Sequence, residues 1–460
     1  MAESKRTRTS SFGSSRRESH DATAFYERFE PPVIRADGVI HWDKALDTIH
    51  RGDASQMVEV PSNSVALVVT SPPYFAGKEY EEDMGKGHVP ASYQAYLQGL
   101  EAVFAECVRT LEPGGRIAVN VANLGRRPYR SLSGDVVRIF ERLGLLLRGE
   151  VVWIKARGAS GSTAWGTFQR PANPVLRDLS ERIVIASKGR FDRAVPLRER
   201  AELGHPSVSD IWRDEFMEAT TDIWEIPSES ATRVNHPAPF PVELPRRLIE
   251  LFTYRDDLIL DPYIGSGTTA VAAVQAGRHF VGYEVDPEYH ARAVERVAAA
   301  RPDTTPGPRH PAEVDESESE TAAAVRQGRA TRDVALAVLT DAGFSSVREN
   351  VRVGPGVDVT FEAGDQSGRR WLFDLSGSFS ASAPGLVRAD VLWRAVGRAA
   401  AIDRHRGDRP LVLLTSHRPP ERSPSARVLA EMVGPDRPVF DVVELLGEDD
   451  VARLAAYADS

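Results

Sequence analysis

The chain of 460 residues holds one cysteine, Cys107. That excludes an intramolecular disulfide and any thiolate-based metal cluster, and it suits a reducing compartment such as the cytoplasm. No apolar run approaches the roughly 18 residues that span a membrane, so no membrane partner is expected. The N-terminal stretch MAESKRTRTSSFGSSRRESHD carries basic residues with no apolar segment behind them. Residues 1–36 therefore read as a flexible, weakly cationic tail and not as a secretory signal. The motif G-x-x-x-x-G-K-[ST] is missing, which argues against an NTP-binding P-loop. Excess positive charge is missing too. A net charge of −9 speaks against a wholesale nucleic-acid coat but leaves room for a local basic cleft.

What is present is ordinary globular composition, 42% hydrophobic and 27% charged, in a chain long enough for two domains. From residue 39 to about 297, apolar runs alternate with amphipathic stretches, the pattern of an α/β sheet domain. SVALVVT (64–70), RIAVNVA (116–122), EVVWIKA (150–156), RIVIASKG (182–189), LILDP (258–262) and HFVGYEVD (279–286) read as strands. Segments 92–111 and 133–145 read as helices, the first stopped by EPGG. RPDTTPGPRHPAEVDESESE (301–320) opens a solvated linker over 301–330. A smaller α/β or α+β domain follows over 331–460. There is no internal repeat.

Two stretches carry chemistry. LILDPYIGSGTTAVAAVQAG (258–277) is a strand, a glycine turn and a helix. Gly265 and Gly267 let the backbone approach a ligand closely, and Thr268 and Thr269 open a helix whose amides face it. Glu284, closing the next strand, is placed to bind ribose hydroxyls. The other stretch is VVTSPPYFAG (68–77), where Pro72 and Pro73 must end a strand at Ser71 and hold a hydroxyl beside an aromatic ring.

Together, DPYIGSGTT and TSPPY resemble the S-adenosylmethionine-dependent amino-methyltransferases of DNA. The motif order, catalytic turn first, resembles the β class, a circular permutation of the Rossmann-like mixed methyltransferase sheet. The resemblance spans roughly residues 38–298, with about 156–234 carrying a target-recognition insertion. It implies that the loop of Asp261, Pro262, Tyr263, Gly265, Ser266, Gly267, Thr268 and Thr269 wraps the methionine part of S-adenosylmethionine. Thr70 and the end of the ribose strand, Glu284 and Asp286, would join it. HRGDASQ (50–56) places Asp53 near the adenine, and NHPAPFPVELPRRLIELF (235–252) brings His236, Pro237 and Phe240 to the methionine side.

Ser71, Pro72, Pro73 and Tyr74 would then be the catalytic turn. An exocyclic amine is a poor nucleophile because its lone pair is delocalised into the ring. If the Ser71 hydroxyl and Pro72 carbonyl accept its N–H bonds, the lone pair can turn toward the sulfonium methyl. Tyr74 would stack on a base flipped out of the duplex, with Phe75 beside or beneath it. Cytosine C5 methylation needs a thiolate, and Cys107 sits in an amphipathic helix without the expected preceding proline, so amino methylation is expected. Within the family a serine at the first motif position usually accompanies N4-cytosine and an aspartate N6-adenine, which makes N4-cytosine the expected product and N6-adenine the alternative.

Basic and aromatic residues between 156 and 234 are candidate DNA contacts. Arg157 and Arg190 are expected at phosphates, with Lys155 just before them and Arg193, Arg198, Trp212, Arg213 and Trp224 in the same region. Arg126, Arg127 and Arg130 form a second patch. In the C-terminal domain, Asp358 and Asp374 on adjacent strands resemble the Mg²⁺-binding acids of PD-(D/E)xK restriction nucleases, although Ser376 stands where that pattern has lysine. The expected partner is double-stranded DNA, with a cognate endonuclease or defence-system subunits beside it. The readings that stay open are a DNA methylase of a restriction-modification or phage-defence system, a fused methylase-nuclease, and a non-catalytic DNA-binding subunit.

Overall fold

The structure, a computed structural model, describes residues 40–41, 47–74, 92–123, 129–155, 166–176, 179–228, 240–304, 307–309, 319–379 and 385–459. The N-terminal tail (1–36), Phe75, Arg126, Arg127, Arg157, His236 and Pro237 lie outside the described residues.

Eight strands form the larger sheet: β1 (Thr48–Arg51), β2 (Val65–Thr70), β3 (Leu111–Val121), β4 (Leu145–Ile154), β5 (Ser180–Lys188), β6 (Ile223–Glu225), β7 (Leu258–Asp261) and β8 (His279–Glu284). Their order is β1-β8-β7-β2-β3-β5-β4-β6. β5 alone runs against its neighbours, pairing antiparallel with both β3 and β4. The sheet is mixed, as expected.

Every residue of β2 is buried, as continuous apolar β-branched sequence demands of a central strand covered on both faces. From Leu67 to Val69 side chains alternate between two cores, while Val65, before a register shift against β3, shares a core with Val68. Val65 and Val68 join a cluster with Tyr96, Phe104 and Phe140, whereas Leu67 and Val69 join one with Leu248, Ile249 and Ala273. The first layer is supplied by helices Tyr93–Thr110 and Leu132–Arg142, the second by Glu243–Phe252, Thr268–Gln275 and Pro287–Ala299. Helix Tyr93–Thr110 starts where the Ser92 hydroxyl accepts the Ala95 amide, and it buries Tyr96, Leu100, Val103, Phe104 and Cys107 at three- and four-residue spacing. Cys107 is fully buried, and burial pushes its thiol far up. It is a core residue.

The second sheet, ordered β13-β12-β11-β10-β9, is built from β9 (Ser345–Gly354), β10 (Val357–Gly364), β11 (Arg370–Leu375), β12 (Leu411–Thr415) and β13 (Asp441–Glu444). It is antiparallel over β9–β11 and parallel over β11–β13. The stretch expected as linker contains a helix, Glu320–Arg326, capped by Ser319, whose Ala324 and Val325 enter the core of this second unit. Trp212 of the first unit stacks on Phe379 of the second, ring centroids 4.2 Å apart. Asp214 accepts both the amide and the hydroxyl of Thr331 at 2.7 Å. Trp212 and Arg213, expected near DNA, therefore serve contact between the two sheets' units. No helix among the described residues is long and apolar enough to cross a membrane.

Candidate active site

β2 and β7 are adjacent and parallel, with Leu67 opposite Ile259 and Val68 opposite Leu260. Their C-terminal ends release the two singled-out turns on the same edge of the sheet, where open α/β sheets bind ligands. Side chains join them. Asp261 Oδ1 accepts the Thr70 hydroxyl at 2.6 Å and the Tyr263 amide at 3.0 Å, and Asp261 Oδ2 accepts the Thr269 hydroxyl at 2.6 Å. One buried carboxylate thus ties the last residue before Ser71 to the glycine bend and its helix.

The bend has the backbone its sequence requires. Gly267 caps helix Thr268–Gln275 at φ +83°, where a Cβ would meet Ala293 Cα at 3.2 Å. Gly265 N donates to Glu284 Oε2 at 3.0 Å, and Asp286 N to Glu284 Oε1 at 2.9 Å. Burial pushes the Glu284 carboxyl up. β1 lies beside β8, with Arg51 opposite Glu284, so Asp53 sits at the same edge. Its carboxylate is held by the amide and hydroxyl of Ser55 at 2.9 and 2.8 Å. A recess there is lined by His50, Asp53, Gln56, Glu59 and Tyr283. The rings of His50 and Tyr283 stack at 5.1 Å, a platform the sequence reading did not single out.

Other expected cofactor residues take structural partners. Arg296 donates to the hydroxyls of Ser266 and Thr268 at 3.2 and 2.9 Å. Asp286 caps helix Pro287–Ala299 by accepting the amides of Glu288 and Tyr289. Phe240 is half-buried against the second core, and Tyr263 against the first.

The turn expected to be catalytic is anchored by Tyr96, which donates its hydroxyl to the Pro73 carbonyl at 2.6 Å. Beside it lies a polar cluster. Ser71 Oγ is 2.9 Å from Tyr74 Oη, and Tyr74 donates to Glu181 Oε2 at 3.0 Å. Asn120 Nδ2 donates to the same Glu181 oxygen at 2.5 Å and lies 3.2 Å from Tyr74 Oη. Lys155 Nζ donates to Glu181 Oε1 at 2.8 Å. Asn120 is 3% exposed, and its Oδ1 has no hydrogen-bond partner among the described residues. Such an atom is an acceptor waiting for a donor.

A family profile described as DNA methylase, of the N6/N4 type, matches residues 65–295, half of the chain. The chain belongs to the N6/N4 DNA methylase family. The type II methyltransferase M.MjaI of Methanocaldococcus jannaschii is 31% identical over 282 residues, covering 54% of this chain and 89% of that protein. M.BglII of Bacillus subtilis is 28% identical over 53% of this chain and 67% of its own. A crystal structure of a Thermus thermophilus protein described as a DNA modification methylase, complexed with S-adenosyl-L-methionine, aligns at 29% identity. It covers 54% of this chain and 94% of its own, with a TM-score of 0.42.

In this DNA methyltransferase several expected DNA contacts are displaced. Because β5 runs antiparallel to β3, Glu181 enters at the edge that carries Ser71 and Lys188 leaves at the opposite one. Arg190, Arg193 and Arg198 follow Lys188 and so start from the far edge. Arg190 is half-buried there. Arg193 is buried with Glu112 and Asp257, and Trp224 is buried in the second core. Lys155 is at the edge that carries Ser71, and its ammonium bonds to Glu181. Arg130 is exposed with its guanidinium 4.3 Å from the Tyr93 ring centroid.

The acids of the C-terminal sheet also differ from expectation. Arg398 forms a fork on Asp374, Nε to Oδ2 at 2.9 Å and Nη2 to Oδ1 at 2.8 Å, and also donates to the Asp358 carbonyl at 2.8 Å. The Asp358 carboxylate takes Arg352 Nε at 2.9 Å. A guanidinium supplies the positive charge expected of Mg²⁺, and no metal-ligating group of three acids, histidines or cysteines occurs among the described residues.

Burial pushes the Asp261 carboxyl up to about 6, against hydrogen bonds from Thr269, Thr70 and the Tyr263 amide that favour its charged form. An unfolded aspartate titrates near about 3.9. Between those values the folded state binds the extra proton. The stabilisation is complete below the lower value and disappears as pH rises through the upper one. Urea midpoints should show wild type gaining on Asp261→Asn by up to about 1.4 kcal/mol per unit as pH falls from about 6 toward 4. Equal gaps at both ends of that range would contradict a buried, strained carboxylate here.

Proposed function

We propose that this methyltransferase transfers the methyl group of S-adenosylmethionine to the exocyclic N4 amine of cytosine in duplex DNA, as a β-class modification enzyme of a restriction-modification or phage-defence system. The observation that carries the reading is the Thr70–Asp261 bond, which fixes the catalytic turn against the glycine bend. The residues fit the cofactor. Glu284 and Asp53 put carboxylates at one sheet edge for ribose and adenine, and Gly265 and Gly267 leave backbone free of Cβ atoms beside them. Bound there, S-adenosylmethionine supplies an electrophilic methyl group on a sulfonium.

The chain's own residues supply position and electrostatics. Ser71 Oγ and the Pro72 carbonyl accept the amine N–H bonds, so the nitrogen can pyramidalise. Asn120 Oδ1 adds a buried acceptor close by. The Tyr74 ring offers its face to an extruded base, while its hydroxyl is held at the ring's edge by Glu181. The serine in Ser-Pro-Pro-Tyr supports cytosine, and the type II methyltransferases among the relatives support the modification role.

Incubating the protein with unmethylated duplex DNA and methyl-labelled S-adenosylmethionine, then hydrolysing the DNA to nucleosides, tests this. Label in N4-methylcytosine is expected. Label in N6-methyladenine would keep the family and reverse the base, and absence of label would overturn the reading.

A further inference from the structure

A serine hydroxyl is an ambiguous catalyst for this reaction. As an acceptor from the amine it helps to localise the nitrogen lone pair. As a donor toward that nitrogen it would occupy the pair needed for attack on the methyl group. An aspartate would have no such choice, since an ionised carboxylate only accepts. With serine at position 71, something else must set the direction of its proton.

We propose that Glu181 is the positioning residue that sets it, acting through Tyr74, so that Ser71 meets the target amine as an acceptor. The proposal rests on the amino-methyltransferase reading. Glu181 is 8% exposed, and both its oxygens receive N–H donors, from Asn120 at 2.5 Å and Lys155 at 2.8 Å. The carboxylate is held in place as an acceptor. Tyr74 has one hydroxyl proton, and it goes to Glu181 Oε2. The 2.9 Å contact between Ser71 and Tyr74 can then be made in one sense only, with Ser71 donating. Asn120 Nδ2, 3.2 Å from the same phenol oxygen, reinforces that sense by offering it a further N–H. With its proton committed to Tyr74, Ser71 Oγ turns lone pairs alone toward the base. The chain Ser71 → Tyr74 → Glu181 runs from β2 to β5, and its direction is set by the one member that cannot donate.

Tyr74→Phe keeps the ring face and removes the relay oxygen. Glu181→Gln keeps shape and introduces an amide that can donate to Tyr74 and reverse the chain. Steady-state methyl transfer by both variants and by the double variant, with urea midpoints alongside, tests the proposal. Each single change should lower kcat about tenfold, the size of one oriented hydrogen bond. KM for S-adenosylmethionine and for DNA should stay within about twofold. Because both changes break the same chain, the double variant should be no slower than the slower single one. Wild-type kcat in either single variant overturns the proposal, as does a double variant slowed by about a hundredfold, the product of independent losses. If Glu181→Gln does not fold, kcat of Tyr74→Phe decides alone. A wild-type protein that transfers methyl while Tyr74→Phe keeps full kcat leaves the methyltransferase reading standing. A wild-type protein that transfers none removes that reading and the proposal with it.

Discussion

Ser71→Ala should lower the rate of methyl transfer by about 10²–10³-fold, the usual cost of deleting one preorganised polar group aimed at a transition state. The loss should fall on kcat. Ser71 is the residue after β2, and β2 is held by its fully buried apolar side chains and by Thr70, none of which the substitution touches. Asp261, Glu284 and the glycine bend also stay in place, so S-adenosylmethionine affinity, measured by calorimetry, should remain close to wild type. Alanine gives neither an acceptor for the amine nor a donor for Tyr74. It therefore removes both the contact with the base and the top of the hydroxyl chain, and it should exceed Tyr74→Phe in effect. Single-turnover transfer to a labelled duplex separates this chemical loss from product release. A Ser71→Ala enzyme within about threefold of wild type would mean that the backbone carbonyl of Pro72 alone localises the lone pair.

The two motifs of this site were legible because each is local. Prolines dictate where β2 stops, glycines dictate where the chain bends, and the carboxylate of Asp261 sits one strand away from Thr70. The other half of the site depends on strand direction, which a sequence does not display. Glu181 and Lys155 meet because β4 and β5 run antiparallel and bring the end of one to the start of the other, with Ile154 opposite Ser180. Asn120 joins them from β3, opposite Ile183. A faint signal existed: a lone amide inside RIAVNVA and a lone acid, Glu181, just before RIVIASK are polar residues in largely buried strands, which need partners. The same antiparallel step misplaced the arginines after Lys188. Their composition suggested a DNA surface, but the chain had already crossed to the far edge of the sheet. In the C-terminal unit Asp358 and Asp374 do lie on adjacent strands, β10 and β11, but two residues out of register. Arg398, arriving from helix Ala389–Asp403, was beyond the reach of a strand pattern.

Arg193 gives the clearest way to separate those two views of the arginines. If it touched DNA phosphates, Arg193→Met would weaken DNA binding, flatten its salt dependence and leave stability alone. Its surroundings argue for the reverse. The guanidinium is 8% exposed, bonds to Glu112 through Nε and reaches Asp257 Oδ2 and Oδ1 at 3.0 and 3.2 Å. Arg200, itself buried, bonds to the same Asp257 at 3.0 Å. Two carboxylates and two guanidinium groups thus balance inside the fold, between the start of β3 and the approach to β7. Removing one cation leaves a buried negative charge without its partner, a defect that costs about 3–5 kcal/mol. Urea unfolding of Arg193→Met should show that loss. Arg198→Met, which breaks only an exposed pair with Glu202 four residues away, should shift stability by about 0.5 kcal/mol or less. DNA affinity of the folded fraction should be equal in both variants, because the buried cluster lies across the sheet from Ser71. A stable Arg193→Met protein with weakened DNA binding would instead return this arginine to the nucleic-acid surface.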